Sequence, residues 1–308
     1  MNIPFKPITI NDKEVITSYT MNSNYQNCDF SFANMCSWQF LYRSEFAVLD
    51  GFLLIRFRIE KSSRTAYMIP VGQGDLKAAL LRLEADSLAL GRPLCMLGIT
   101  PDAKEQLEEV LPRQFVYIPE RDYYDYIYLR ENLSELKGKK YQPKRNHINN
   151  FKKQYAYEYV PITKEIVPQC LELERLWYRN NQTAEEQEAL TDERQSLTFA
   201  LHHFDSLGLT GGAIRVDGEI IAFSFGAPIN HNTFGVHVEK ANTQFDGAYA
   251  LINQELAAHL PEQYIYLNRE EDLGIEGLRK AKLSYQPTLL LEKAAAIKKP
   301  SSSLVNYE

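Results

Sequence analysis

The strongest constraint on the fold is an order of elements that occurs twice along the chain. In the first half, Phe46–Leu49 and Phe52–Phe57 form a hairpin about Asp50-Gly51, because Asp-Gly between apolar runs supplies the positive φ angles of a tight turn. A strand at Ala66–Val71 follows. Next come an amphipathic helix at Asp75–Leu90, N-capped by Asp75 and stopped by Gly91, a strand at Pro93–Leu97, a helix at Pro101–Val110 and a strand at Gln114–Ile118. After residue 210 the succession returns. Gly212–Val216 and Glu219–Phe225 pair about Asp217-Gly218, and then come a strand (Phe234–Lys240), a helix (Ala248–Leu260), a strand (Tyr264–Asn268), a short helix (Ile275–Leu283) and a strand (Thr288–Glu292). Sequence identity between the halves is low, so the repeat is one of pattern. Two copies of one α/β fold account for it, and 308 residues suit two domains.

The second copy carries the polar groups that call for an explanation. Strand alternation puts Phe234, Val236 and Val238 on one face and His237 with Glu239 on the other. Asn268 ends an otherwise apolar strand. In the short helix, Ile275, Leu278, Arg279 and Lys282 follow the spacing of one face, which directs two cations toward the buried side, where each needs an anionic partner or a ligand. Asp272 is placed to cap that helix. The alternative to a site is that Glu239 pairs with Arg279 or Lys282 and the group only locks helix to sheet.

Between the copies, Tyr123–Leu129 reads as a strand with half-buried tyrosines. Residues 137–153 hold many basic residues and no acidic one. Pro143 at a helix start leaves first-turn amides free, and Lys144 and Arg145 beside them add to an anion pocket; the other reading is a solvated helix face. Helices follow at Ile166–Asn180 and Thr191–Leu207, with Glu172, Glu174, Glu185, Glu186 and Glu188 as solvated surface. Phe30–Arg43 reads as one core helix.

The net charge of −6 argues against a protein that coats nucleic acid, and DNA is not expected as a partner. Cys28, Cys36, Cys95 and Cys170 are scattered without zinc-finger or disulfide spacing, and no metal site is expected. His202 and His203 are consecutive and cannot share a helix face. The N-terminus lacks an export signal and no run is apolar enough to span a bilayer, so a soluble, cytoplasmic protein is expected.

Several stretches resemble a known family. They are Lys144-Arg145-Asn146 with Ile148 and Phe151; His237-Val-Glu-Lys with Asp246-Gly247-Ala248-Tyr249 and Asn253; Asn268, Asp272, Gly274, Leu278, Arg279, Lys282, Tyr285 and Pro287; and Asp29-Phe-Ser-Phe with Asn34 and Trp38. Together they are similar to the phosphatidylglycerol lysyltransferase C-terminal family, also catalogued as a domain of unknown function. The resemblance implies two tandem acetyltransferase-like modules of the Gcn5-related type, each a mixed, mostly antiparallel sheet flanked by helices. The expected partition is 1–121, 122–296 with the site, and a flexible tail at 297–308. It implies acyl transfer, with aminoacyl-tRNA as donor and a lipid headgroup or other small amine or hydroxyl as acceptor.

Within that expectation, His237 or Glu239 accepts a proton and Asn268 completes the catalytic set, while Lys144, Arg145, Asp272, Arg279 and Lys282 bind substrate. Gln244, Gly247 and Ala248 occupy the position of the coenzyme A pyrophosphate loop. There Tyr249 replaces a small residue and Asp246 adds a negative charge, which disfavours coenzyme A but leaves it open. No other cofactor is implied. A coenzyme-A-dependent N-acyltransferase and a non-catalytic protein binding a small anion are the alternatives on this fold.

Overall fold

The computed structural model describes residues 3–59, 64–181 and 187–300. The chain divides into two compact units: one takes the chain up to Ile8, Leu41–Tyr124 and the chain from Glu292 onward, and the other takes Thr9–Phe40 and Asp125–Leu291. This departs from the expected 1–121 and 122–296 partition at both ends. The reason is strand pairing over long sequence distances, which periodicity cannot register. Ala294–Lys298, expected to fall partly in a flexible tail, is a strand lying between Cys95–Ile99 and Phe115–Pro119 in the first sheet. Lys298 is buried there, with Nζ 2.8 Å from Glu84. The rest of that tail, 301–308, lies outside the described residues.

The first sheet has eight strands and is antiparallel except where Thr65–Tyr67 meets Cys95–Ile99. Its hairpin, Glu45–Leu49 with Phe52–Arg58, turns on Asp50 and Gly51, whose φ angles are 50° and 84°. Helix Leu76–Ala89 starts where the Asp75 carboxylate accepts from the Ala78 amide, and Thr100 caps Pro101–Val110 in the same way. Leu80, Leu83 and Leu107 from these helices are fully buried, as are Leu53, Leu54, Tyr67 and Met96 from the sheet.

In the second unit the strands are β1 (Asp125–Leu129), β2 (Glu158–Pro161), β3 (Thr210–Val216), β4 (Glu219–Pro228), β5 (Thr233–Ala241), β6 (Tyr266–Asn268) and β7 (Leu289–Leu291). Their order across the sheet is β7-β1-β6-β5-β4-β3-β2, and among the described residues only β5 and β6 are parallel. The helices used below are α1 (Phe32–Ser37), α2 (Arg130–Glu135), α3 (Gln142–Gln154), α4 (Val167–Asn181), α5 (Gln187–His202), α6 (Ala248–His259) and α7 (Glu276–Leu283). The predicted Phe30–Arg43 helix is broken at Trp38 into α1 and Gln39–Tyr42.

Helix α6 lies on one face of this sheet. Leu251 and Ile252 join Ile214, Ile221 and Phe151 in one cluster, and Leu256 and Ala257 join Phe234, Val236, Tyr126 and Tyr128 in another. The tyrosines of β1 are thus core aromatics, each contributing about 1.5–3 kcal/mol of burial. Of the acidic stretch, Glu185 and Glu186 lie outside the described residues. Glu174 is not surface: it is buried against Arg194 at 3.2 Å, and burial raises its carboxyl above the usual range.

Candidate functional site

The site begins with an irregularity in β5. Its pairing with β4 runs Ala222–Ala241 to Phe225–Val238 and then shifts to Gly226–Val236, so His237 is an extra residue with no partner on β4. Such a bulge restarts the alternation of side chains. His237 and Glu239, expected on one face, therefore point to different elements. His237 reaches the N-cap of α1, where Nε2 is 2.8 Å from Ser31 Oγ, while Nδ1 is 2.7 Å from Glu270 Oε1. Glu239 faces α6, where it accepts from Asn253 Nδ2 at 3.3 Å. The His237 imidazole is thus held at both nitrogens, with its side chain only 6% exposed.

A gap opens next to the bulge. Strands β5 and β6 pair only from Thr233–Tyr266 to Gly235–Asn268, whereas β5 continues to Ala241. Across this divergence Arg269 Nη2 donates to Glu239 Oε1 at 2.9 Å. The buried guanidinium stands 4.6 Å from the Tyr285 ring centroid. Burial opposes its charge, but Glu239 first, then Tyr128 and Tyr285, hold its pKa above the ordinary arginine value. The cation paired with Glu239 is Arg269, which the sequence does not single out, whereas Arg279 holds Asp272 and Lys282 holds backbone carbonyls.

The other predicted residues build the loop that aims Arg269. Asn268 is fully buried, donating to the Gln26 carbonyl and to Asp125 Oδ2, both at 2.7 Å, and accepting from the Glu270 amide. Lys282 Nζ donates to the carbonyls of Arg269 (2.5 Å) and Glu271, and burial pulls its pKa below the ordinary lysine value. Asp272 accepts from Gly274 N and from Tyr126 OH, and holds Arg279 through two bonds of 2.8 Å. Positive φ at Glu270 (60°), Leu273 (51°) and Gly274 (75°) makes the loop a conformation these contacts must enforce. In the short helix the two cations face inward as expected, Lys282 buried and Arg279 half-buried, but Ile275 and Leu278 of the same stripe are 46% and 36% exposed.

The basic segment divides in two. Lys144 Nζ lies 3.9 Å over the Tyr285 ring, on the side of the gap, and its pKa is lowered by burial and then by the nearby Arg269 charge. Arg145 instead ties down its own loop, donating to the carbonyls of Leu136 and Gly138 and to Gln142. The predicted anion loop is also committed to packing. Gly247 has φ +89°, and a Cβ there would meet the His147 carbonyl oxygen of α3 at 2.5 Å. Gln244 is exposed, with its amide on Asn242 Oδ1, and Ala248 is buried in the core. Tyr249 is held by Trp177 Nε1 at 2.8 Å.

Four contributors escaped the sequence reading as site residues: Ser31, Asn253, Arg269 and Glu270. The signal was the charged run Arg269-Glu270-Glu271 directly after an apolar strand. Among the described residues, Cys28, Asp29 and Glu271 have metal-ligand spacing within 4.8 Å. Here the Cys28 thiol donates to Glu271 at 3.2 Å and to Asp125 at 3.5 Å. No helix of the described residues is long and apolar enough to cross a membrane.

Two mixed sheets flanked by helices, the second parted at β5 and β6, define an α/β protein with two sheets of this kind. The chain belongs to the family described as phosphatidylglycerol lysyltransferase, C-terminal, whose model matches residues 21–296. A conserved protein of unknown function from Bacteroides thetaiotaomicron is 55% identical, with a TM-score of 0.92, 96% of this chain and 100% of that chain covered. L-PGS from Bacillus licheniformis shares the fold at 12% identity, with a TM-score of 0.65 over 95% of this chain and 93% of that one. An uncharacterized protein of Mycoplasmoides gallisepticum is 28% identical over 192 residues, which is 61% of this chain and 60% of that protein.

Proposed function

We propose that this chain transfers an aminoacyl group from aminoacyl-tRNA to an amine or hydroxyl of a small acceptor or lipid headgroup. The observation that carries this reading is the Glu239–Arg269 ion pair set across the parted strands, with Lys144 beside it. An aminoacyl ester is already activated, so placement and charge stabilisation suffice and no covalent intermediate is required. In the proposed sequence the acceptor nitrogen or oxygen attacks the ester carbonyl while Glu239 takes its proton. Arg269 and Lys144 face the oxyanion as it forms. Collapse breaks the bond to the ribose oxygen, which takes the proton back from Glu239. His237, Asn268, Asp272, Arg279 and Lys282 hold the loop and strand in register.

The family supports aminoacyl transfer in general terms. The backbone of α3 packed on Gly247 favours a donor that does not need the pyrophosphate cradle. The test is to incubate the chain with radiolabelled aminoacyl-tRNA and either phosphatidylglycerol vesicles or soluble amines. Label should pass to an acceptor, and Glu239→Gln should slow this by about 10² or more. Label that stays on tRNA with every acceptor, or transfer from acetyl-coenzyme A alone, would overturn the proposal.

A further inference from the structure

We infer that α7 and the loop leading into it dock on the surface of an anionic lipid bilayer, their apolar side chains entering the headgroup layer. The surface lies outside the gap, and docking needs no turnover. Leu273, Ile275, Leu278 and Leu283 are 58%, 46%, 36% and 44% exposed. Fifteen large apolar side chains are exposed among the described residues, and four of them fall in these eleven positions, whereas exposed apolar residues scattered singly are ordinary. The backbone that carries them is pinned. Asp272 Oδ1 accepts from the Gly274 amide and the Asp272 carbonyl from the Ile275 amide, both at 2.9 Å. Leu273 even holds φ at 51°, a strained value for leucine, with no burial in return.

The charge around this face decides what covers it. In a chain of net charge −6, the stretches 137–153 and 273–289 together hold ten cations and a single carboxylate, Glu276. They meet where Lys144 Nζ lies 3.9 Å over the Tyr285 ring, two residues past the end of α7. A second copy of the chain would bring the same positive charge against itself. RNA laid along α3 would use the cations and leave the leucines of α7 in water. An anionic bilayer takes both at once: its headgroups attract the cations, and the apolar boundary below them accepts the leucines. In the reading above, this is also where a lipid acceptor would be met.

The test is co-sedimentation of the full chain with vesicles of phosphatidylcholine alone or mixed with phosphatidylglycerol. The mixed vesicles should hold the chain at least about 10-fold better than the neutral ones. Leu273→Asn combined with Ile275→Ser should lower that binding by roughly 10-fold, since apolar contact is lost. The double variant keeps the fold: asparagine tolerates the left-handed backbone, and Ile275 is the N-cap of α7, where serine is favoured. In Ile275→Trp, emission should shift to the blue when mixed vesicles are added, beyond any shift in the unaltered chain. No binding to either vesicle, or equal binding by the double variant, overturns the docking surface. A concentration-dependent dimer that the double variant dissolves overturns it in favour of a second copy. Transfer to soluble amines without vesicle binding overturns the docking and leaves the proposed function standing. Vesicle binding as described, with label never leaving tRNA, overturns the proposed function and keeps the docking.

Discussion

Glu239 and Arg269 meet at 2.9 Å across the point where β5 and β6 part, although thirty residues and a helix separate them in sequence. Both side chains are largely buried. Removing one partner leaves an uncompensated charge, so Arg269→Met should cost about 3–5 kcal/mol in urea unfolding. Combining it with Glu239→Gln should cost less than the two single changes added together. Strict additivity would show that the pair is not coupled.

Lys282→Met tests whether that lysine is scaffold. Its ammonium satisfies two carbonyls, those of Arg269 and Glu271, and losing it should cost about 1–3 kcal/mol for each carbonyl left buried. Melting temperature and transfer should fall together. Lost transfer at an unchanged melting temperature would instead put Lys282 in contact with substrate.

Gly247→Ala should destabilise the second unit on two counts. Alanine is disfavoured at φ +89°, and its Cβ would press on the His147 carbonyl. A loss of about 1–3 kcal/mol is expected from the left-handed conformation and the contact combined. Wild-type stability in this variant would mean that α3 yields easily, contrary to the packing described.

Lys144 makes stability depend on pH in the alkaline range. Burial and the Arg269 charge lower its folded pKa below the usual 10.5. Between that lowered value and 10.5 the unfolded chain binds more protons, so stability gains from this group as pH rises through the window. Urea midpoints at successive pH values should therefore rise less steeply in Lys144→Met. Lys282, shifted the same way, leaves the variant a remaining slope.

Binding of charged tRNA should weaken with salt. Lys139, Lys140, Lys152 and Lys153 are exposed around α3. Replacing them one at a time with Gln should lower the slope of log K against log salt by up to about 1 each, measured by filter binding. A slope unchanged in the fourfold variant would remove this face from the tRNA path.

The repeat, the hairpin turns at Asp50-Gly51 and Asp217-Gly218, and the cap at Asp75 were legible because each depends on neighbouring residues. His237 and Glu239 were legible as polar groups on a strand, but not as residues facing apart. One extra residue in β5 reverses the alternation, and nothing in Gly-Val-His-Val-Glu announces it. Arg269 was missed for a related reason. Its partner lies on a strand it does not pair with, so the contact exists only once the sheet has opened. Asn268, Asp272, Arg279 and Lys282 stood out in the sequence as polar groups needing partners or a ligand. Their partners are largely the backbone and side chains of one loop, a use that spacing cannot tell from ligand binding.

Ala294–Lys298 also bears on how the protein is made. On the ribosome, Cys95–Ile99 and Phe115–Pro119 emerge about 175 residues before the strand that will join them. At ordinary elongation rates of about 5–20 residues per second that is a wait of roughly 10–35 s. For that interval the earliest-made sheet has two open edges able to pair with another nascent chain. The half synthesised first is thus the last to be closed.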